Sequence, residues 1–328
     1  MHKMKKIFIL GISSFSGAAL ASYLVKKKYK VFGTFYKKKN IYLLPLDKKK
    51  IKIFKINLLK DTKKLLFLIK KIKPEVIVDH ASICMAGESW LNPDKYFKIN
   101  VNSKIDLIKG LKNSKFLKKY VYISTPEIFG SKSKRIDEFC SEFNPSTPYA
   151  SSKLASELNF RHALLYQNFP IIISRFSNFY GPNQPLYRLI PKVIMSIKKN
   201  KKFPLEGGGQ SVRNFIYTDD FCSGINKLIL KGELGRVYHF SGNKFLKITK
   251  IIKLICDIKK VSYKKLIKVT SDRIGKDNAY KLKCLWTKKN LNWCEKVSIK
   301  QGLSKTIVFY DKFFEKFSKK SLQYKFTN

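Results

Sequence analysis

Short apolar runs alternate with helical segments through the first half of the chain. Runs at 5–10, 31–35, 51–56 and 76–78 are rich in Ile, Val, Phe and Leu, which is typical of buried strands. Strands that alternate with helices predict a doubly wound, parallel α/β sheet of Rossmann type. In such a sheet the ligand lies at the carboxyl ends of the strands, so the residues there are the candidates for function.

The same alternation continues to about residue 180 and then changes. Pro and Gly divide the following segment into short pieces, which predicts a smaller lobe. We therefore expect a dinucleotide-binding domain over 1–180, a substrate-binding lobe over 181–310 and a basic tail over 311–328. Further elements are predicted as strands at 120–123 and 171–173, as late sheet elements near 213–218 and 236–240, and as helices at 18–27, 62–72, 94–112 and 149–167.

Composition narrows the class of protein. The chain has 328 residues, of which 44% are hydrophobic, enough for a large core, but no run is long enough to span a bilayer. The apolar run after the first lysines is shorter than the core of a signal peptide, so we expect a cytoplasmic protein without a membrane partner. Six scattered Cys and four His predict neither a metal site nor a disulfide framework.

The formal net charge of +46 admits two interpretations. One is an anionic partner such as RNA, which would make the chain a binding protein that reuses an enzyme fold. The other is a lysine-rich composition spread over the solvated surface. Lysines occur in nearly every segment and aromatic residues do not interleave with them as a base-stacking platform requires. We favour the second interpretation and expect no specific nucleic-acid partner.

A glycine-containing turn connects the first predicted strand to the first helix. It reads Gly11-Ile-Ser-Ser14-Phe15-Ser16-Gly17. A tight turn at Gly11, close packing at Gly17 and N–H groups at a helix start suit the pyrophosphate of a dinucleotide. We predict that this turn, including Ser14, Phe15 and Ser16, binds NAD or NADP.

Two further strand ends bear on the cofactor. After the second strand come Lys37, Lys38 and Lys39 with no carboxylate, which slightly favours NADP because a lysine can meet a 2′-phosphate. After the third strand, Asn57 and Leu58 occupy the place expected to face the adenine.

A Tyr-x-x-x-Lys pair, Tyr149 and Lys153, begins the predicted helix at 149–167. Residues four apart share one helix face, and a Lys ammonium lowers the pKa of a nearby phenol, which can then exchange a proton with a hydroxyl. Such a pair is expected by chance in a chain with 17 Tyr and 68 Lys and Arg, and Tyr23 with Lys27 is a second example. The position of the Tyr149 pair distinguishes it from the Tyr23 pair, because Thr125 ends the strand before Tyr149 and can bind the same substrate oxygen.

Several motifs together resemble the NAD-dependent nucleotide-sugar epimerase/dehydratase family of extended short-chain dehydrogenases, and most closely its 4,6-dehydratases. The resemblance covers roughly residues 5 to 305. Its motifs are Thr125-Pro126-Glu127, Tyr149-x-x-x-Lys153, Arg175 to Pro182, Arg213 to Asp220, Asp272 to Tyr280, and Leu291-Asn-Trp293.

The resemblance implies a nucleotide-diphosphate sugar as substrate and assigns roles to residues. Tyr149 would take the 4-hydroxyl proton as hydride leaves C4, Glu127 would take the C5 proton as water leaves C6, and hydride would return to C6. The residues that would bind the substrate are Asn178, Lys192, Arg213 and Arg273, and those that would line the cofactor site beyond the turn are Ala81, Ser82 and Asn100. A homodimer through 94–112 and 149–167 is also implied.

The sequence departs from the dehydratase pattern in two places. Pro126 stands where some dehydratases have an acid that protonates the leaving hydroxyl, so a 4-epimerase or 4-keto reductase stays an alternative. Cys84 and Met85 replace a Ser and a His after the fourth strand. His80, on that strand, is predicted to be a packed core residue.

Overall fold

The computed structural model describes residues 5–37 and 51–324. Its strands are β1 (Lys6–Leu10), β2 (Lys30–Phe35), β3 (Ile51–Lys55), β4 (Val76–Asp79), β5 (Lys119–Ser124), β6 (Arg135–Ile136), β7 (Ile171–Phe176), β8 (Asn178–Tyr180), β9 (Phe203–Glu206), β10 (Val212–Tyr217), β11 (Val237–Phe240), β12 (Phe245–Lys247), β13 (Ile267–Thr270) and β14 (Lys281–Leu282). Its helices are α1 (Phe15–Lys26), α2 (Thr62–Ile72), α3 (Pro93–Phe97), α4 (Ser103–Leu111), α5 (Pro148–Gln167), α6 (Leu189–Lys198), α7 (Thr218–Lys231), α8 (Ile248–Lys259), α9 (Tyr263–Leu266), α10 (Leu285–Leu291), α11 (Ile299–Lys312) and α12 (Phe314–Ser318).

A seven-stranded parallel sheet forms the centre, in the order β11-β7-β5-β4-β1-β2-β3. Because successive side chains of a strand point to opposite faces, β1 contributes to two cores. Ile7 and Ile9 pack with α1 and α7, whereas Phe8 and Leu10 pack with α2, α4 and α5. The predicted doubly wound α/β fold is therefore confirmed, and the carboxyl ends of its strands lie at one edge.

A separate apolar core holds the smaller lobe together. It is formed by α6, α8 and α11, through side chains such as Ile194, Ile252 and Ile307, and it includes Phe317 of the predicted basic tail. Two short sheets belong to the same half of the chain, β12-β10-β8 and β13-β9, and β14 pairs with β6.

Two local predictions need correction. The segment near 213–218 was expected in the main sheet, but β10 pairs with β8 and β12, because the chain leaves the main sheet at Ser177 before β8 begins. The predicted helix at 94–112 is interrupted by a π-helical turn at Lys98–Asn102. Such turns widen a helix locally and often occur near functional sites.

No helix in the two described ranges is both long and apolar enough to cross a membrane.

Candidate active site

The turn between β1 and α1 has the conformation that its glycines predict. Gly11 has a φ of +76°, which L side chains rarely adopt, and its N–H donates to the Thr34 hydroxyl at 3.1 Å. A Cβ on Gly17 would lie 2.4 Å from the carbonyl oxygen of Gly11, so only glycine permits this close packing. The turn thus brings the N-terminus of α1 to the carboxyl edge of the sheet, where its N–H groups suit a phosphate.

The serines and the phenylalanine of this turn are each held in place. Ser14 caps α1 by accepting a hydrogen bond from the N–H of Gly17 at 3.0 Å. Phe15 stacks on Phe179 with ring centroids 5.9 Å apart. The Ser16 hydroxyl is 3.0 Å from Nδ1 of His80, so the turn is tied to the end of β4.

The residues predicted to face the adenosine end are less constrained. Lys37 is exposed, with its Nζ 5.4 Å from the centre of the Tyr36 ring. The Asn57 side chain accepts the N–H of Leu59 at 3.0 Å, and Leu58 packs against the core beside α2. Lys38 and Lys39 lie outside the described residues.

The segment that follows β4, residues 81–85, contains the predicted cofactor residues Ala81 and Ser82 and is referred to below as the β4 loop. Asn100 is fully buried within the π-helical turn, and its amide bonds both the N–H of Ile83, at 2.9 Å, and the carbonyl of Ile83, at 3.1 Å. Its Nδ2 also donates to the Ser152 hydroxyl at 2.9 Å. Asn100, predicted to line the cofactor site, therefore also holds the β4 loop in place.

Lys153 joins the β4 loop to α5. Its Nζ donates to the Ser82 hydroxyl at 3.0 Å and to the Ile123 carbonyl at 2.7 Å, and it lies 4.1 Å from the centre of the Tyr122 ring. Burial lowers the pKa of Lys153 to about 7, and Lys104 lowers it further against the opposing effect of Asp79. Two predicted site residues, Ser82 and Lys153, are therefore in direct contact.

Tyr149 lies one helical turn before Lys153 and is buried against the ring of Tyr96. Burial, then the charges of Glu127 and Cys84, raise its pKa well above 10.0, whereas a hydrogen bond with the Thr125 hydroxyl and the charge of Arg188 lower it. The Lys153 ammonium, which the spacing predicts to lower this pKa, donates to the Ser82 hydroxyl and the Ile123 carbonyl.

Glu127 lies in a short 3-10 turn, Pro126–Phe129, directly after β5. The Thr125 hydroxyl accepts the N–H of Glu127 at 3.3 Å, so one side chain connects the carboxylate segment to Tyr149. Burial raises the pKa of Glu127, and Asp277 adds to this, while the guanidinium groups of three arginines oppose it. Those three are Arg273, Arg213 and Arg188. The structure thus brings together Thr125, Glu127 and Tyr149, and Lys153 lies one helical turn after Tyr149.

All four predicted substrate residues follow β7 in the chain. Arg213 lies 4.3 Å from the centre of the Tyr280 ring, and its Nη2 donates to the Asp277 carbonyl at 2.7 Å, which fixes the guanidinium. The Asn178 side chain accepts the Tyr280 hydroxyl at 3.1 Å. Arg273 is exposed and approaches Gly87. The fourth predicted residue, Lys192, lies on α6 with its Nζ 5.7 Å from the centre of the Phe203 ring.

Arg188 was not predicted. It is the residue before α6, and its Nη2 donates to the carbonyl oxygen and the sulfur of Cys84, at 3.2 Å and 3.0 Å. Its charge lowers the pKa of both Tyr149 and Glu127. Arg188 therefore faces the reacting groups and also holds the end of the β4 loop.

His80 gives the fold a measurable dependence on pH. Burial lowers its pKa to about 4 from 6.5, and its Nε2 is buried without a hydrogen-bond partner in the described part of the chain. The unfolded chain therefore takes up a proton below pH 6.5 that the folded chain does not take up until about pH 4, so stability falls as pH drops through this window. In His80→Phe, the melting temperature should fall by roughly 2–3 °C less between pH 7 and pH 5 than in the unchanged protein. Calorimetry at both pH values measures this, and equal decreases would contradict it.

The fold and the site define a class before any relative is considered: a Rossmann-type protein with a dinucleotide turn and a Thr-Tyr-Lys set at one sheet edge. Residues 7–240 match the profile described as NAD dependent epimerase/dehydratase family, and the chain belongs to that family. It is 28% identical to the dTDP-D-glucose 4,6-dehydratase of Dictyostelium discoideum, over 94% of this chain and 82% of the relative. It is 31% identical to the human dTDP-D-glucose 4,6-dehydratase, over 75% and 71%.

A solved structure resembles the whole molecule. The dTDP-glucose 4,6-dehydratase DesIV of Streptomyces venezuelae, solved with NAD bound, is 25% identical, with a TM-score of 0.87 over 94% of this chain and 97% of that one. The family is NAD dependent, so the slight preference for NADP that Lys37 to Lys39 suggested is corrected. Lysine is so frequent in this sequence that three in a row carry little information about a 2′-phosphate.

Proposed function

We propose that the protein is a nucleotide-sugar 4,6-dehydratase that uses NAD. The observation that supports this most directly is the position of Glu127, which shares a hydrogen-bonded segment with Thr125 and acts electrostatically on Tyr149. Oxidation of a sugar hydroxyl requires the Thr-Tyr-Lys set alone. A carboxylate beside that set adds a base for a second proton, which elimination needs and simple oxidation does not.

The residues of the dinucleotide turn fit NAD, since Gly11 and Gly17 have the close backbone packing that leaves the α1 N-terminus open to a pyrophosphate. NAD held there would supply a hydride acceptor, and because the proposed reaction has no net redox change it would be regenerated in each turnover. Ser82 and Lys153, which contact each other after β4 and on α5, would hold the nicotinamide half.

The protein groups then divide the proton transfers. Tyr149 would accept the proton of the sugar 4-hydroxyl in its phenolate form, which the hydrogen bond with Thr125 and the charge of Arg188 favour against burial, and the Thr125 hydroxyl would bind the same sugar oxygen. The C4 ketone would acidify the C5 proton, which the Glu127 carboxylate would remove and return to C5 when hydride reaches C6. The 6-hydroxyl would depart as water with the proton released from the 4-hydroxyl. Because burial raises the pKa of Glu127, this carboxylate is a stronger base than an exposed one and retains the proton more readily.

The arginines provide the binding site for the diphosphate. Arg213, fixed by the Asp277 carbonyl, and Arg273 present guanidinium groups near Glu127, and such forks bind phosphate oxygens in pairs. Asn178 and Lys192 complete the proposed substrate set.

We also propose that the protein acts as a cytoplasmic homodimer in polysaccharide biosynthesis. Exposed Leu158, Leu165 and Tyr166 on α5 support an interface there.

The test is product analysis with a panel of GDP-, dTDP-, UDP- and CDP-hexoses. We expect mass spectrometry to find, for at least one sugar, a product that has lost one water molecule, a 4-keto-6-deoxy sugar, with no net gain of NADH absorbance. Products that all retain the 6-hydroxyl would overturn the proposal.

One observation favours a second candidate, a 4-epimerase or 4-keto reductase. Pro126 is buried at the first position of the 3-10 turn and has no proton to give to a leaving hydroxyl. Under this alternative the same panel yields sugars with an inverted or reduced C4 and an intact 6-hydroxyl.

A further inference from the structure

A fully buried ion pair lies directly beneath the β4 loop. Asp79 ends β4 and Lys104 lies in the first turn of α4, and neither side chain has any solvent exposure. Lys104 Nζ is 3.0 Å from one Asp79 carboxylate oxygen and 3.1 Å from the other. The mechanism above does not use this pair.

Both charges are fully hydrogen-bonded within the chain. The Tyr120 hydroxyl donates to Asp79 at 2.7 Å, and the N–H of Ala81 donates to the same carboxylate at 3.0 Å. The Lys104 ammonium donates in turn to the Ala81 carbonyl at 2.7 Å. The pair therefore forms hydrogen bonds with both the N–H and the carbonyl oxygen of Ala81.

A buried pair of this kind is a poor source of stability, because the cost of removing two charges from water is comparable to their attraction. Two apolar side chains of similar volume would fill the space as well. The pair does something that apolar side chains cannot do, since it fixes both polar groups of one backbone residue in a defined orientation.

Ala81 is the first residue of a loop that is held at successive positions. Lys153 contacts Ser82, Asn100 bonds Ile83, and the Tyr96 hydroxyl donates to the Met85 carbonyl at 2.7 Å. The contact at Ala81 is the one nearest the sheet. It decides where Ser82, and therefore the ammonium of Lys153, stands relative to the strand ends.

We propose that Asp79 and Lys104 are positioning residues, which fix Ala81 and thereby the Ser82–Lys153 contact at the nicotinamide end of the site. This inference rests on the proposed function, in which Lys153 belongs to the catalytic set. It extends the site by two buried residues that contact neither substrate nor cofactor.

The pair also acts on Lys153 through charge. The groups that face Lys153 are Asp79 from β4, Lys104 from α4, Glu157 from α5 and Cys84 from the β4 loop. Asp79, Glu157 and Cys84 raise the pKa of Lys153, and Lys104 lowers it. Removing Asp79 should thus make Lys153 lose its proton at a lower pH, and removing Lys104 should have the opposite effect.

The decisive variant is the double change Asp79→Leu with Lys104→Met, which removes both charges and leaves no buried charge alone. We expect it to fold with a melting temperature lowered by about 4–10 °C, because the Tyr120 hydroxyl and both polar groups of Ala81 lose their partners. We expect it to bind NAD about 10-fold more weakly in calorimetry and to turn over nucleotide sugar about 10-fold more slowly. The matched control is Lys259→Met with Asp311→Leu, which removes a partly exposed pair in the smaller lobe, 2.9 Å apart. That control should keep its NAD affinity.

Single variants test the direction in which each charge shifts the pH dependence of turnover. The midpoint of turnover against pH should move down in Asp79→Asn and up in Lys104→Met, whereas a purely structural pair would move neither. Should the double variant fail to fold, Tyr120→Phe removes one hydrogen bond to Asp79 with little change of shape and should weaken NAD binding about 3-fold.

Unchanged NAD affinity and an unchanged pH profile in the folded variants would overturn the inference. NAD binding needs no sugar turnover, so a protein that binds NAD but converts no nucleotide sugar would sink the proposed function while the positioning role is still tested.

Discussion

Glu127→Gln should lower the rate of 4-keto-6-deoxy product formation by about 10²- to 10⁴-fold, the range that a general base contributes. The amide has the shape of the carboxylate but does not accept the C5 proton. Transient oxidation at C4 should survive, because it depends on Tyr149 and Lys153. Rapid-scan absorbance should therefore show NADH accumulating in the variant in the presence of substrate, where the unchanged protein shows no lasting change.

The control is Glu142→Gln, since Glu142 is an exposed carboxylate that pairs with Lys132 on the surface. It should leave both the oxidation and the elimination unchanged. If Glu127→Gln eliminates water at the normal rate, another base performs this step and the dehydratase assignment loses its main support. If the variant also fails to oxidise C4, the Glu127 side chain is needed for binding rather than for elimination.

The parts of this fold that local patterns govern could be predicted from the sequence. The parallel sheet follows from alternating apolar runs and helices, and the helix at 62–72 begins and ends where its spacing predicted. The turn at Gly11 followed from the backbone requirement of a glycine after a strand. These features depend on residues that are neighbours in the chain, which is why the sequence reveals them.

Features that depend on tertiary contact could not be predicted. The distance in sequence between Lys104 and Asp79 is 25 residues, and a lysine in a lysine-rich chain gives no sign that it will be fully buried. The contact between Asn100 and Ile83 likewise joins residues 17 apart in the sequence, and it depends on the packing of the loop against the π-helical turn.

Arg188 was missed although the composition contained a signal for it. Only seven of the 68 basic residues are arginines, and they are Arg135, Arg161, Arg175, Arg188, Arg213, Arg236 and Arg273. Where almost every basic position is lysine, an arginine marks a place at which a planar guanidinium is required. Three of the seven lower the pKa of Glu127, and Arg175 forms a buried ion pair with Glu157 at 2.6 Å.

Tyr149→Phe should lower the rate of C4 oxidation, and with it the overall turnover, by about 10²- to 10⁴-fold. The phenylalanine ring keeps the packing against Tyr96, so we expect folding and NAD binding to persist while the proton acceptor is lost. Single-turnover measurement of NADH formation with saturating nucleotide sugar isolates this step. In contrast to Glu127→Gln, this variant should accumulate no NADH, because the reaction stops before hydride leaves the sugar.

The chain contains its own control for this experiment. Tyr23 and Lys27 have the same spacing on α1, with Lys27 Nζ 5.8 Å from the centre of the Tyr23 ring, but no Thr or Glu follows a strand beside them. Tyr23→Phe should therefore turn over at the rate of the unchanged protein. A large loss in Tyr23→Phe, or a fully active Tyr149→Phe, would mean that neither position nor the Thr125 contact selects the acting tyrosine. The expected contrast instead attributes catalysis to the environment of the pair and not to its spacing.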